Sequence, residues 1–329
     1  MLLAARPLCA QKVDTVMMRN GDRITGEIKT LDHGTLTYKT DDVGTVMIEW
    51  DKIARVVSPR YFEVEDNAGR RYYGTLQPAL RDGRMVVAVT SFVDTLDIAR
   101  VVRIYPLGQS FLARVDGHLN LNLTFQRANR LRSLNTDFEA EYRTRVRATR
   151  LRSNLYFQNQ EDAEGTSRNS VSLDQVRFLH NRWLLAASGS LQQNEELDLA
   201  RRALISAGGG RFLRQTNRSE ILLAGGLAFT NELFTASSAT SSLEAVLSGQ
   251  ASYYQLDTPQ TDLQCLLTLY PSLTDFGRVR SELSVSLTHE VIKNFNTGLM
   301  VFDNFDSRPP SDSLAKNDFG VTLTIGWTF

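Results

Sequence analysis

The chain ends in Val321-Thr322-Leu323-Thr324-Ile325-Gly326-Trp327-Thr328-Phe329. Five apolar residues alternate here with small or hydroxyl residues, which is the period of a strand with one apolar and one polar face. Transmembrane barrels use aromatic residues such as Trp327 and Phe329 in their interfacial girdles. The stretch therefore predicts a membrane-crossing strand, and the alternative is an ordinary edge strand of a sheet in water.

The terminal aromatic residue carries a second expectation. A Phe at the end of an alternating strand resembles the signal that the bacterial outer-membrane assembly machinery recognises on its clients. The resemblance implies that this machinery is a partner of the chain. The predicted assembly signal consists of Val321, Leu323, Ile325, Trp327 and Phe329.

Composition excludes several classes of protein. The 329 residues contain 37 Lys and Arg against 37 Asp and Glu, so nothing marks the chain as a nucleic-acid binder. There is no apolar run of about 18 residues, which excludes membrane helices but leaves a barrel open, because barrel strands alternate. Cys9 and Cys265 are the only cysteines, too few for a disulfide framework or a cysteine metal site. We predict no cofactor and no metal.

The first ten residues have the character of a targeting segment. They are apolar or small up to Ala10, and Gln11 follows, as at the end of a secretory signal peptide. The basic and most of the apolar parts of such a signal are missing. We expect residues 1–10 to be a signal-peptide remnant, with the true start further upstream; a disordered terminus is the alternative.

Residues 13–105 contain an internal repeat. Asn20–Ile28 and Ala68–Leu76 share the spacing of their glycines, and the pentapeptide Ile53-Ala54-Arg55-Val56-Val57 recurs unchanged as residues 98–102. Each unit has the rhythm of four or five short strands joined by Gly-containing turns. Units of about 45 residues with this rhythm resemble SH3-like or Sm-like small barrels, which implies a binding or spacer module. We predict one repeat over 11–58 and a second over 59–106, packed together because each is small.

A linker over 107–114 precedes a different pattern over 115–329. Leu119, Leu121, Leu123 and Phe125 alternate with polar residues over a length that crosses a bilayer as a tilted strand. Similar segments follow up to the last residue, giving about twelve strands, and single-chain bacterial barrels have an even number. The predicted fold class is therefore all-β: a transmembrane antiparallel β-barrel of about twelve strands, preceded by two small SH3-like β-barrel repeats.

The second strand of this barrel carries a dense row of charges. We place it from Asp137 to Arg147, with Phe138, Ala140 and Tyr142 on one face. The charged face must line the lumen, because each Arg at the lipid midplane costs roughly 2–4 kcal/mol. The predicted lumen-lining residues are Glu139, Glu141, Arg143, Arg145 and Arg147, and Arg152, Arg177 and Glu282 are further candidates. They could line a channel or form a salt-bridge network that blocks it.

Short and long connections alternate along this part of the chain. Short turns on one side and longer loops on the other are typical of outer-membrane barrels, whose termini lie on the periplasmic side. We therefore expect the chain in the outer membrane of a diderm (Gram-negative) bacterium, with the N-terminal repeats in the periplasm. Outer-membrane lipids and lipopolysaccharide are the expected surroundings, and peptidoglycan or a periplasmic protein is the expected partner of the repeats.

The central part of the barrel region resembles a known family. Leu and Arg residues over 197–202 precede the Gly-rich segment Ala207-Gly208-Gly209-Gly210-Arg211-Phe212, and a polar turn leads to a strand that contains Gly225-Gly226. This pattern is similar to the salt-induced outer-membrane proteins, catalogued as a domain of unknown function, over roughly residues 115–329. The resemblance implies an outer-membrane barrel and no established reaction or catalytic residues.

Three functions stay open. The first is a non-enzymatic envelope protein, either a narrow porin-like pore or a structural, stress-related barrel. The second is a membrane-embedded lipid hydrolase, which needs a Ser beside a His; His118, His180 and His289 lack an evident serine partner. The third is a barrel that only anchors a periplasmic domain that binds peptidoglycan or protein. We predict no enzyme activity and no catalytic residues.

Overall fold

The computed structural model describes residues 13–89, 92–107, 114–127, 130–144, 146–160, 165–195, 199–235, 238–308 and 316–327. The expected signal remnant over 1–10, Arg145 of the predicted lumen row and Phe329 of the predicted assembly signal lie outside the described residues. The described part contains twenty-one β-strands and two short 3-10 helices. The predicted all-β class is confirmed. None of the described helices is long and apolar enough to cross a membrane.

The strands form two compact units. The first unit contains β1 (Asp14–Met18), β2 (Arg23–Asp32), β3 (Thr35–Lys39), β4 (Thr45–Glu49), β5 (Ile53–Asp66), β6 (Arg71–Gln77), β7 (Arg84–Val89), β8 (Phe92–Asp97) and β9 (Val101–Pro106), with 3-10 helices at Trp50–Lys52 and Ile98–Arg100. They form one nine-stranded sheet in the order β4-β3-β2-β1-β5-β6-β7-β8. β9 pairs with both β2 and β5, so β1, β2, β9 and β5 close into a small four-stranded barrel.

The two sequence repeats share one hydrophobic core in this unit. Val16, Ile28 and Leu36 from the first repeat lie in the same buried cluster as Phe62 and Leu76 from the second. A unit of about 45 residues buries a smaller fraction of its surface alone than a larger domain does, so a joint core stabilises both. β5 is the shared strand, because its first half pairs with β1 and its second half with β6.

The structural repeat is offset by three residues from the repeat of the pentapeptide, although it agrees with the spacing of the repeated glycines. Ile53–Val57 lies entirely in β5, whereas the first three residues of the identical pentapeptide at 98–102 form the second 3-10 helix. The burial pattern instead matches Trp50–Val56 to Ile98–Ile104 position by position. The Trp50 indole donates to the Ile98 carbonyl at 2.8 Å, so the equivalent first residues of the two 3-10 helices contact each other.

The shared glycine spacing of the repeats has a steric cause. A Cβ at Gly26 would lie 2.6 Å from the Lys39 carbonyl oxygen and from the Tyr38 ring, and a Cβ at Gly74 would meet the Ala88 carbonyl. Atoms cannot approach that closely, so both positions need Gly for the neighbouring strand to pack against them.

A buried carboxylate joins three strands of the first unit. Asp14 is fully buried and accepts hydrogen bonds from the Ile28 amide at 2.7 Å, the Ser58 hydroxyl at 2.5 Å and the Arg60 guanidinium at 2.5 Å. The Tyr38 hydroxyl donates to the Asp14 carbonyl oxygen at 2.6 Å. Burial, assisted by the negative charge of Asp14, raises the pKa of Tyr38 above its usual range, so Tyr38 stays a donor.

We predict that Asp14→Ala lowers the free energy of unfolding of the first unit by about 3 kcal/mol, because it leaves three donors of the network without their acceptor. Pulse proteolysis of the full chain in urea, read from cleavage within residues 13–105, measures this change. The control is Asp82→Ala, which removes the exposed ion pair with Arg55 and is expected to cost less than about 1 kcal/mol. Equal losses in the two variants would contradict the structural role of Asp14.

The second unit is a twelve-stranded antiparallel sheet in which each strand pairs with the next. Its strands are β10 (Val115–Gln126), β11 (Leu131–Arg143), β12 (Arg147–Asn159), β13 (Thr166–Phe178), β14 (Trp183–Asn194), β15 (Leu199–Gln215), β16 (Ser219–Phe234), β17 (Thr240–Gln255), β18 (Thr261–Pro271), β19 (Val279–Ile292), β20 (Phe295–Asp306) and β21 (Asn317–Trp327). The predicted count of about twelve is confirmed.

The second strand of this unit ends earlier than predicted. β11 stops at Arg143, and the Thr144 amide donates to the Arg147 carbonyl across a tight turn at 2.8 Å. Arg147 then begins β12 and is paired with Arg177 of β13. Its placement on the same strand and face as Glu139 was therefore wrong. The Arg147 amide also donates to the Thr144 hydroxyl at 3.2 Å. The Thr144 side chain therefore supports a turn whose sequence contains neither Gly nor Pro.

The described residues contain no ladder between β10 and β21, the first and last strands of the second unit. The alternation of apolar and polar residues in β10 and β21 is compatible with such a ladder. Pairing Leu121 with Leu323 puts apolar residues opposite apolar residues along both strands. When the registers of the ladders are followed once around the twelve strands through this pair, the starting position on β10 is shifted by about 14 residues. With a rise of ~3.3 Å and a strand spacing of ~4.8 Å, this corresponds to a tilt of about 40°, as in closed barrels.

We predict that the sheet closes in this register. Asn122→Cys with Thr322→Cys, in a chain whose Cys9 and Cys265 are replaced by Ser, should form a disulfide readily, because directly opposed residues lie about 4.5–5.5 Å apart. Asn122→Cys with Thr324→Cys is the control, since it shifts the partner by two residues. The measurement is the cross-linked fraction after mild oxidation of the refolded chain. Equal or stronger cross-linking in the shifted pair would contradict the register.

Candidate functional site

One face of the twelve-stranded sheet is apolar and exposed. Residues that lie directly opposite each other in the ladders share a face, so the face can be followed from Leu119 through Phe138 and Leu173 to Leu323. Large side chains on it remain open: Leu121 is 62%, Leu227 53% and Leu323 67% exposed. Soluble monomers rarely expose an apolar surface of this extent, and such surfaces mark contact with a membrane or a partner.

Aromatic residues lie at both margins of this apolar face. The margin near the short turns carries Tyr142, Trp183, Tyr253, Phe295 and Trp327, and the margin near the long loops carries Phe125, Phe157, Phe229, Phe305 and Phe319. Phe319 and Trp327 are eight residues apart on β21. At ~3.4 Å per residue and a tilt of ~40°, the band between the margins is about 20 Å high, close to the ~25 Å of outer-membrane barrels.

Charged residues on the apolar face lie near the margins. Arg147 and Arg177 are paired beside the short turns, and Arg211 lies over the Trp183 ring at 5.6 Å from its centroid. Arg132 and Arg201 lie at the long-loop margin. Long cationic side chains in such positions extend toward the membrane interface with their stems on apolar surface. Arg177 was a lumen candidate, and the structure places it on the apolar face instead.

The opposite face of the sheet is polar, and it contains three of the predicted lumen residues. Glu139, Glu141 and Arg143 follow one another on this face of β11. The further candidates Arg152 and Glu282 share it. On β16 and β17 parts of this face are buried, since Ala228 is 1%, Thr230 1% and Glu244 1% exposed. The sheet therefore curls with the polar face inward along these strands.

Ion pairs connect the predicted row to the next two strands. Arg150 of β12 donates to Glu141 at 2.5 Å and lies 3.7 Å from Glu139, while Arg143 lies 3.6 Å from Glu141. Arg152 donates to Asp174 of β13 at 2.5 Å, and Ser188 of β14 donates to the same carboxylate at 2.7 Å. The charges of β11 are thus part of a network, and Arg150 and Asp174 are members that the sequence pattern alone had missed.

A second network lies near the long loops and was not predicted. The fully buried Glu244 of β17 accepts two hydrogen bonds from Arg280 of β19, at 3.0 and 2.6 Å. Arg278 binds Asp306 in the same two-pronged way at 3.1 and 2.6 Å. Arg202 of β15 donates to Glu232 of β16 at 2.6 Å. The available signal was the alternation of Arg278 and Arg280, but their partners Asp306 and Glu244 lie 28 and 36 residues away in the sequence.

The three histidine candidates are separate from one another. His118 lies 2.7 Å from Asp137 on the polar face, and the His289 Nδ1 lies 2.9 Å from the Thr261 hydroxyl. His180 lies in the connection between β13 and β14. None of the hydrogen bonds found for described residues joins one of these histidines to a serine.

The described part of the predicted assembly signal forms a regular edge strand. Val321, Leu323, Ile325 and Trp327 share one face of β21, and each is more than 60% exposed. Trp327 packs edge-on against Phe295 of β20, with ring centroids 5.7 Å apart. Recognition of this strand by an assembly machinery stays a prediction.

These features define a class: an all-β protein whose larger unit is a twelve-stranded antiparallel sheet with one exposed apolar face and one polar face rich in ion pairs. The chain belongs to the family of proteins of unknown function DUF481, which matches residues 120–329. The match covers all of β11 to β21 and most of β10. No curated protein was found that matches the chain.

We predict that Glu244→Ala destabilises the second unit by about 3 kcal/mol, because Arg280 is left without its buried carboxylate. The measurement is the temperature at which the folded band disappears in heat-modifiable gel migration. Glu282→Ala is the control on the same face, since Glu282 is exposed and, within the described part of the chain, accepts a single hydrogen bond, from Tyr270 at 3.3 Å. A midpoint that falls equally in both variants would argue against the buried pair.

Proposed function

We propose that the second unit is a closed transmembrane β-barrel in the outer membrane of a diderm bacterium, with the first unit in the periplasm. The observation that carries the proposal is the exposed apolar face bounded by aromatic residues at both margins. Exposing this apolar face to water would cost a large amount of free energy. A bilayer core of matching height would cover the face and avoid that cost. The absence of charged residues from the middle of the face, among the described strands, supports the same environment.

We propose that the barrel is a non-enzymatic, narrow pore that prefers cations. The inward face supports this, because its acidic side chains are about twice as numerous as its basic ones. The acidic set is Asp116, Asp137, Glu139, Glu141, Asp174, Glu220, Glu232, Glu244, Asp262, Glu282, Glu290, Asp306 and Asp318, and the basic set is Arg143, Arg150, Arg152, Arg168, Arg202, Arg280 and Arg278, which precedes β19 and binds Asp306. Rings of carboxylates attract cations into a pore.

The same ion pairs support a structural barrel as the second candidate. Arg150 with Glu141 and Arg280 with Glu244 place long side chains across the inward face. Buried pairs of this kind hold neighbouring strands in register and narrow the space between them. In this candidate the barrel would serve envelope stability, as the likeness to salt-induced outer-membrane proteins implies, and would pass no ions.

The first unit supports an additional binding role. Each repeat has five strands with a 3-10 helix before the last, and we propose that the pair is an SH3-like module for peptidoglycan or a periplasmic protein. β4 and β8 end its sheet, and Met47 of β4 and Phe92 of β8 are 69% and 73% exposed. A barrel that only anchors this module is the third candidate. The lipid hydrolase has the least support, because none of the three candidate histidines is hydrogen-bonded to a serine among the residues that the structure describes.

Single-channel conductance of the refolded chain in a planar bilayer tests the pore. We expect discrete steps with a cation preference, and a stronger preference in Arg143→Glu because it adds negative charge to the inward face. The control is Arg84→Glu, the same charge change at an exposed position of the first unit, which should leave selectivity unchanged.

A chain lacking residues 13–105 is measured beside it to separate the two units. Steps in both proteins would assign the pore to the barrel. Silence from both, with heat-modifiable migration retained, would reject the pore and favour the structural barrel. Anion preference would contradict the role of the acidic excess.

A further inference from the structure

A cleft of about 700 Å³ opens at the long-loop margin of the second unit. Leu123, Leu134 and Phe157 form its apolar part, and all three belong to the apolar face of the sheet. Arg132, Asn169 and Gln193 also line it and lie on the same face. The cleft therefore combines an apolar wall with a cation and two amides at the level where the apolar band ends.

Two polar side chains of the cleft have capacity for further hydrogen bonds or ion pairs. Asn169 donates to the Gln193 side-chain oxygen at 3.4 Å, but its own Oδ1 is buried and has no hydrogen-bond partner among the described residues. A buried acceptor without a donor is costly, and rotation of the Asn169 amide toward the cleft would let a ligand hydroxyl supply that donor. Arg132 is exposed and makes no ion pair with any described residue.

The chemistry of the cleft defines one class of ligand. An acyl chain fits the apolar wall, sugar hydroxyls fit the two amides, and a phosphate monoester fits the guanidinium through paired N–H donors. Arg132 is the second residue of β11 and lies at the margin, where an arginine reaches the depth of lipid headgroups at little cost. Glu195 also lines the cleft, and its carboxylate can only accept hydrogen bonds, which favours a sugar with hydroxyl donors over a bare phosphate.

We propose that this cleft binds a phosphorylated glycolipid, the lipid A part of lipopolysaccharide. Its acyl chain lies against Phe157 and Leu134, its phosphate binds Arg132, and a sugar hydroxyl donates to Asn169. The inference rests on the proposed membrane barrel, with the long loops facing the leaflet that contains this lipid.

Native mass spectrometry of the refolded full chain in detergent tests the site, with lipid A, its dephosphorylated form and phosphatidylglycerol as probes. Arg132→Gln should weaken lipid A binding about tenfold or more and leave dephosphorylated lipid A binding unchanged, because one charged contact is lost. Asn169→Leu should weaken both glycolipids. The matched control is Arg201→Gln, an arginine at the same margin and on the same face, outside the cleft and hydrogen-bonded to Asn231.

The outcomes separate this inference from the barrel itself. Heat-modifiable migration of every variant, measured without lipid A, reports the barrel. A folded barrel in which Arg132→Gln and Arg201→Gln bind lipid A equally would overturn the site and leave the barrel standing. Equal binding of phosphatidylglycerol, or full competition by inorganic phosphate, would overturn the glycolipid. A chain that never folds into vesicles or micelles would overturn both proposals.

Discussion

The constraint on which the second unit depends is the two-residue period of its strands. A slip of one residue in any ladder would move a whole row of side chains to the other face. Register irregularities occur between Gln192 and Asn194, between Leu199 and Arg201, between Phe212 and Arg214, and between Glu290 and Ile292. All four lie toward strand ends, so the central part of every strand keeps its alternation. A continuous apolar face is possible only because the bulges stay at the margins.

The same period decides where charge can be placed. Once one face must be apolar, every charged residue in the middle of a strand has to share the other face with its counterions. Arg150 meets Glu141 on the neighbouring strand, and Arg152 meets Asp174 on the next. Arg280 reaches Glu244 two strands away, beyond the end of β18, where Ser272 forms a single bridge to Glu244. The ion pairs are thus a consequence of the alternation, and they in turn hold the register that creates it.

Sequence periodicity was enough to predict the fold class, the strand number and the last strand, because each depends on local alternation. It misplaced Arg147, since charged and apolar residues continue to alternate through a turn that Thr144 supports without Gly or Pro. It assigned Arg177 to the polar face for a related reason: near the end of a strand, an arginine is found on either face, so the alternation around it does not decide which face it occupies. The ion-pair networks could not be predicted, because pairs such as Arg202 with Glu232 depend on the register of separate ladders. In the first unit, the identical pentapeptides adopt different structures. The pattern of buried residues makes Trp50, and not Ile53, the structural equivalent of Ile98.

In the proposed barrel, the balance of charges on the polar face decides between a pore and a plug. A paired arginine neutralises a carboxylate and narrows the lumen, whereas an unpaired carboxylate stays hydrated and attracts cations. Asp262 and Asp318 are exposed on the polar face and make no ion pair with a described residue, while Glu244 and Asp174 are bound to arginines. The pairs concentrate on β11 to β13 and near the long loops, so the remaining acidic excess lies along the wall that β18 to β21 form. In the proposed pore, a cation path would run along this wall, and the ion pairs of β11 to β13 would stiffen the rest of the sheet.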